Sequence, residues 1–231
     1  METRAQSLPV GESLPQWHPV AWPVHQRIAG QHCVLEPLDT ERHAHDLYQA
    51  NAEDALGVDW TYLPYGPFAN FSDYRACLTG LSQQKHALFF AIVDSSSNQA
   101  VGLLGFQRIE PAIGVLEIAH VKFSPRLKKS PAATEAMYLM MRHAFAAGYR
   151  RYEWKCDSCN HASRQAAQRL GFVFEGIFRQ ATVYKGRNRD TAWYSVLDSE
   201  WPILQQAFKA WLMPENFDQQ GLQRRRLTDF R

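Results

Sequence analysis

Residues 126–147 set the tightest constraint on how this 231-residue chain can fold. They read Arg-Leu-Lys-Lys-Ser-Pro-Ala-Ala-Thr-Glu-Ala and continue as a methionine-rich helical pattern. A strand-like run ends just before them, at Phe123. The order is therefore strand, short basic loop, helix. Ser130 is a good helix N-cap, and Pro131 fits the first helical position, where a missing N–H costs little. Such a junction presents free backbone N–H groups and the positive end of a helix dipole, here with Arg126, Lys128 and Lys129 beside it. That combination reads as an anion site for phosphate, or more plainly as an ordinary capped turn. It is not a nucleotide P-loop, because no G-x-x-x-x-G-K-[S/T] occurs.

The flanking sequence alternates strand and helix signals. Residues 32–38 read as a strand, and Asp39 or Thr40 can cap the helix that follows to about residue 50. Residues 71–85 carry Tyr74, Leu78 and Leu81 at helical spacing. Residues 87–94 form a continuous apolar run, as expected of a central strand. Residues 101–109 and 115–123 are two further strands around a Pro-Ala-Ile-Gly turn. After the helix from Pro131 come a strand at 151–156 and a helix at 160–170 that Gly171 stops. A hairpin follows, 173–184 with 191–197, around Lys185-Gly-Arg-Asn188. A last helix spans 199–212, with Ser199 as its N-cap. Residues 1–28 read as a loosely docked arm, 29–212 as one domain, and 213–231 as a polar tail. The order is mixed α/β with an antiparallel hairpin core.

Composition removes several classes. A net charge of +2 gives no footprint for a nucleic-acid partner. No apolar run is long enough to span a membrane, and the N-terminus shows no signal-peptide h-region. Four cysteines in this length do not make a disulfide framework, so a reducing compartment, the cytoplasm, is expected. Cys156 and Cys159 form a CxxC without a second pair. Zinc is not expected, and they read as free thiols.

A few side chains stand out as candidates. Glu117 falls on an apolar strand face with Val115, Ala119, Val121 and Phe123 if alternation is regular, and His120 then falls on the other. A carboxyl there is either paired or shifted up in pKa, which makes it a structural partner or a general base. Asn160 and Ser163 open a helix. Asn160 caps it, and an Asn cap can also offer its amide to a ligand. Arg179, Lys185, Arg187 and Arg189 cluster at the last hairpin as a solvated turn or a recognition surface for an acidic acceptor.

In order and spacing these residues resemble the GNAT acetyltransferase superfamily, in its ribosomal-protein N-acetyltransferase-like branch, over residues 32–212. The motifs are Glu117-Ile118, Ala133-Thr-Glu-Ala136, Asn160-His-Ala-Ser163, Arg169-Leu-Gly-Phe172, Glu175-Gly176, Gly186 with Asp190, and Glu200-Trp201. The resemblance implies a strongly twisted, mostly antiparallel sheet, splayed between strands 115–123 and 151–156, with helices on both faces. It implies acetyl-CoA in the cleft, held by Phe123, Arg126, Lys128, Lys129, Ser130, Ala132, Ala133, Asn160 and Ser163, and no metal. Lys129 and Pro131 stand where the family commonly has glycine, and Thr182 stands where ribosomal relatives carry a glutamate base.

The expected reaction is direct attack of a primary amine on the acetyl thioester. The amine belongs to a protein N-terminus or a small molecule. Glu117 would be the base, Ser163 the donor to the leaving thiolate, and a backbone N–H near Lys122 or Phe123 the oxyanion partner. The alternative is a non-catalytic acyl-CoA-binding module of the same fold. The sequence leaves the acceptor open, and a homodimer is among the oligomeric states it allows.

Overall fold

The structure, a computed structural model, describes residues 8–231, so the first seven residues of the expected arm lie outside it. In chain order the elements are β1 (Ile28–Ala29), β2 (Cys33–Pro37), α1 (Thr40–Ala52), a 3-10 turn at Val58–Trp60, α2 (Phe71–Ser82), β3 (Leu88–Asp94), β4 (Ala100–Glu110) and β5 (Val115–Phe123). They continue with α3 (Pro131–Ala146), β6 (Arg151–Asp157), α4 (His161–Leu170), β7 (Val173–Tyr184), β8 (Arg187–Leu197) and α5 (Trp201–Trp211). Eight strands form one sheet in the order β1-β2-β3-β4-β5-β6-β8-β7. Among the described strands only β5 and β6 run parallel, because α3 is the crossover between them.

The apolar run of β3 explains the layering. Its alternate side chains feed two cores. Phe90 and Ile92 join the methionines of α3 on one face, with Phe106, Leu116, Ile118 and Tyr152. Phe89, Ala91 and Val93 join Leu47 of α1 and Tyr74 and Leu78 of α2 on the other. A strand buried on both faces must be apolar throughout, which is why its sequence does not alternate.

Several sequence expectations are corrected. The final helix is not capped by Ser199: its N-cap is Glu200, without a side-chain cap bond. A cap at Ser199 would place Pro202 at the third helical position, where there would be no N–H for the serine to accept. The last hairpin turns through two residues only, Lys185 (φ 48°) and Gly186 (φ 70°), so β8 begins at Arg187. Two left-handed residues give the turn whose twist matches the strands. The arm from Trp17 onward is pinned rather than loose. The Trp17 indole donates to Ala112 O at 3.1 Å, the Tyr149 hydroxyl to Ala21 O at 3.2 Å, and His143 and His25 meet Val24 O and Phe89 O, both at 2.8 Å. Residues 213–231 are also structured. Leu227 is buried in the main core, and the Asn216 amide donates to Trp211 O and Arg225 O.

β5 also departs from regular alternation. Ala119 pairs with Gly105 but Lys122 with Leu103, so β5 carries one extra residue at His120, whose φ is 53°. The bulge turns His120 and Lys122 to the face of Glu117, and Val121 and Phe123 to the α3 face. The His120 ring stacks on Tyr65 at 5.6 Å and 6°, and its Nδ1 is hydrogen-bonded to the Tyr65 hydroxyl at 3.0 Å.

Two predictions follow from this packing. Glu135 of α3, 4% exposed, accepts from the N–H groups of Gln31 (2.7 Å), His32 (2.6 Å) and Cys33 (2.8 Å) and so ties the β1–β2 turn to the helix. Glu135→Ala strands those donors and should lower urea stability by on the order of 3 kcal/mol. Burial also holds the His120 imidazole down to about 4, against an ordinary 6.5. The unfolded chain therefore takes the proton first: stability is full above about pH 6.5 and is lost as pH falls toward 4. From pH 7 to 4.5 the wild type should lose about 2 kcal/mol more than His120→Asn, which tolerates the left-handed backbone. Equal losses in parallel urea titrations would show that the imidazole carries no such penalty.

Candidate functional site

β5 and β6 are joined over four residue pairs only, from Val115↔Arg151 to Ile118↔Trp154. Beyond Ile118 the bulge carries β5 away, and the two strands diverge. A cavity of about 1030 Å³ fills the wedge. Its walls are residues 117–123 of β5 and 154–157 of β6, the loop at 128–131, the first turns of α3 and α4, and the C-terminal segment through Trp211, Phe217 and Leu222. Ser124 N–H donates back to Val101 O on the β4 side. Alternation along the strand then turns the N–H and C=O of Phe123 and Val121 into the wedge.

The loop is fixed from beneath by Leu127, which is 1% exposed. It sits over Gly102, where an added Cβ would come within 2.6 Å of the Leu127 side chain. Ser130 caps α3 by accepting from Ala133 N–H at 3.2 Å. Lys129 has φ 58°, the left-handed conformation that glycine favours, so the loop keeps that geometry without glycine. The three cations do not converge. Arg126 turns outward to Glu53 (2.6 Å) and Gln99 (3.1 Å) and takes no part in the cavity wall. Lys128 lines the cavity but is paired with Asp59. Lys129 lines it with no ion-pair partner among the described residues. Ser130 and Ala133 also line it, whereas Ala132 is buried in the core behind them.

On the facing wall Asn160 caps α4, accepting from Ser163 N–H at 3.1 Å, and both side chains border the cavity. The Ser163 hydroxyl accepts the Trp154 indole N–H at 3.0 Å, which leaves its own proton free to donate. Cys156 lies in the same wall as a free thiol, and burial pushes its pKa up.

Glu117 is paired. It is 4% exposed and receives Lys155 Nζ at 2.6 Å and Gln107 Nε2 at 2.9 Å. Lys155 lies 3.3 Å from Glu153 and 3.8 Å from the centre of the Trp193 ring. Thr182 is exposed on β7 opposite Arg189, outside the cavity wall.

Several residues at the site were not among those the sequence put forward for a role in it. Lys122 is 3% exposed, donates to Asn51 Oδ1 at 2.7 Å and faces Asp59 at 3.7 Å. Burial pulls its pKa down to about 8. Arg169 reaches the cavity while donating to Thr134 Oγ1 at 2.7 Å. Asp157, the last residue of β6, is 7% exposed and borders the wedge. These are contacts between distant segments, or side chains turned inward by the bulge, so local periodicity does not mark them.

Residues 32–173 match the Acetyltransferase (GNAT) domain family. The crystal structure of a GCN5-related N-acetyltransferase from Brucella melitensis is 45% identical and superposes with a TM-score of 0.92 over 94% of this chain and 99% of that one. Two curated relatives are each 27% identical. The ribosomal-protein-serine acetyltransferase of Escherichia coli aligns over 69% of this chain and 90% of its own length. The uncharacterized N-acetyltransferase p20 of Bacillus licheniformis aligns over 72% and 99%. With its splayed central strands and capped loop, the chain belongs to the GNAT acetyltransferase family and is an acetyltransferase.

Proposed function

We propose that the wedge holds acetyl-CoA, as the family's donor, and that the acetyl group passes to a primary amine by direct attack. The observation that carries this reading is the opening between β5 and β6, which offers unpaired strand-edge groups of Val121 and Phe123 along an apolar slot that ends at a capped helix start. A pantetheine arm has amides that suit such an edge, and a pyrophosphate suits the helix start with Lys129 beside it. Asn160 and Ser163 would meet the arm from the α4 side. In this reading the Phe123 N–H holds the oxyanion, and Ser163 donates to the departing thiolate.

The acceptor is read as a protein N-terminus or a small-molecule amine. The E. coli relative, named for acting on a ribosomal-protein serine, favours the first. The non-catalytic alternative rested on the loss of glycine from the loop and on Thr182 in place of a glutamate. The first support weakens because Lys129 adopts the glycine-like backbone; the second stands.

Two measurements test this assignment. Lys129→Glu should weaken CoA binding in calorimetry by about 1–3 kcal/mol through charge reversal at the phosphate. Lys129→Gly should keep the loop, leave stability within about 1 kcal/mol of the parent and lose part of the affinity. Equal affinities for all three proteins would remove the loop from the cofactor site. Glu117 is the proposed base, and Glu117→Gln keeps its shape. If Glu117 takes the amine proton, kcat should fall roughly 10²–10⁴-fold near neutral pH, with partial recovery at high pH and CoA affinity unchanged. A kcat close to wild type would leave Glu117 as the structural partner of Lys155.

A further inference from the structure

A second cavity, of about 670 Å³, adjoins the first. It lies between the residues that follow the Val58–Trp60 turn, the β6–α4 connection and the tip of the β7–β8 hairpin. Tyr62 and Asp157 border both cavities, so they stand at the passage between them. The hairpin tip is tied across this space by hydrogen bonds. Lys185 Nζ donates to Trp60 O at 2.7 Å, the Tyr62 hydroxyl to Cys159 O at 3.1 Å, and the Tyr184 hydroxyl to Asp157 Oδ2 at 2.8 Å.

The charges around the wedge are not equivalent. Glu117 and Glu153 share Lys155, and Asp59 is shared by Lys122 and Lys128. Asp157 alone among the carboxylates of the wedge has no cation within 4 Å among the described residues. Its partners are neutral: the Cys159 N–H at 2.8 Å and the Tyr184 hydroxyl. None of the cations lining the two cavities nearby is ion-paired with it: Lys185 donates to Trp60 O, Arg189 donates to Thr191 Oγ1 at 3.1 Å, and Arg187 has no carboxylate within 4 Å among the described residues. A carboxylate this deeply buried lacks a counter-charge unless a ligand supplies one.

We propose that the second cavity admits the acceptor and that Asp157 receives its primary ammonium at the passage to the donor cavity. Asp157 is thus a binding residue that selects charged primary amines, and the hairpin tip is the collar through which the acceptor chain enters. The assignment rests on the acetyl-transfer reading for the identity of the neighbouring cavity. Its chemistry is shared by a peptide N-terminus and a polyamine.

The test is equilibrium binding to the full chain loaded with CoA. The probes are a tripeptide amide with a free serine N-terminus, its N-acetylated form, and spermidine. The free peptide or spermidine should bind wild type, and Asp157→Asn should weaken that binding about tenfold or more with CoA affinity unchanged. Tyr184→Phe, which keeps the charge, should change it by less than about threefold. The N-acetylated peptide should not distinguish wild type from Asp157→Asn. Which of the two amines binds more tightly separates the peptide from the polyamine source. Unchanged amine binding in Asp157→Asn, an equal loss of CoA binding, or no amine binding to wild type would each overturn the proposal. Thiol release from acetyl-CoA, followed in parallel on wild type, reads the activity separately: binding that depends on Asp157 without turnover would count against the acetyl-transfer reading, not against the anchor.

Discussion

The site depends on the failure of two neighbouring strands to stay paired. β5 must remain in register with β4 along its length while running parallel to β6, and it does both only as far as Ile118. One extra residue at His120 resolves the conflict. It preserves the β4 ladder, turns Lys122 under the 3-10 turn at Trp60, and leaves the other strand edge open. An open edge inside a sheet is costly unless something pairs with it, since buried N–H and C=O groups need partners. A ligand with amides of its own meets that need. The cleft is therefore a consequence of backbone hydrogen bonding before any side chain is considered.

Side chains then divide the opening by charge. Among the described residues, every lysine that reaches the wedge except Lys129 has a carboxylate partner, and every carboxylate except Asp157 has a cation partner. Pairing a buried charge lowers the cost of holding it, but it also removes that charge from ligand recognition. The two exceptions lie apart. Lys129 is on the loop at the α3 end, where an anion suits the helix start. Asp157 is at the passage to the hairpin, where an ammonium suits the carboxylate. The polarity of the cavity runs along the direction in which a thioester donor and an amine acceptor would approach one another.

Much of the fold was legible in the sequence, for reasons that vary by element. The double burial of β3 produced an unbroken apolar run, and the start of α3 was written in Ser130 and Pro131 and is found there. Asn160 and Gly171 bracket α4 as their chemistry requires. The site was legible only in part. Regular alternation put Glu117 with Val121 and Phe123. The bulge that separates them leaves no mark, because a histidine in a strand is not a glycine or a proline. The pairing of Arg126 with Glu53 and of Lys128 with Asp59 spans about 70 residues of chain, beyond any local pattern. Those distant partners decide which cations of the loop remain free, so counting basic residues there overstated its charge.

The unpaired status of Lys129 among the described residues also bears on why a lysine, and not a glycine, holds this left-handed position. Left-handed backbone at a non-glycine residue costs about 1–2 kcal/mol. Arg126 is held by Glu53 and Gln99, and Lys128 by Asp59, so the loop would have no uncommitted cation if Lys129 were glycine. The N–H groups alone would then have to neutralise an anion carrying more than one charge. A lysine at the strained position restores one full charge at the point closest to the helix start, an electrostatic gain comparable to the backbone cost. Lys129 thus compensates for the outward turn of its neighbours, and the same ion pairs that empty the loop of charge brace the segment from Glu53 to Asp59 against the loop.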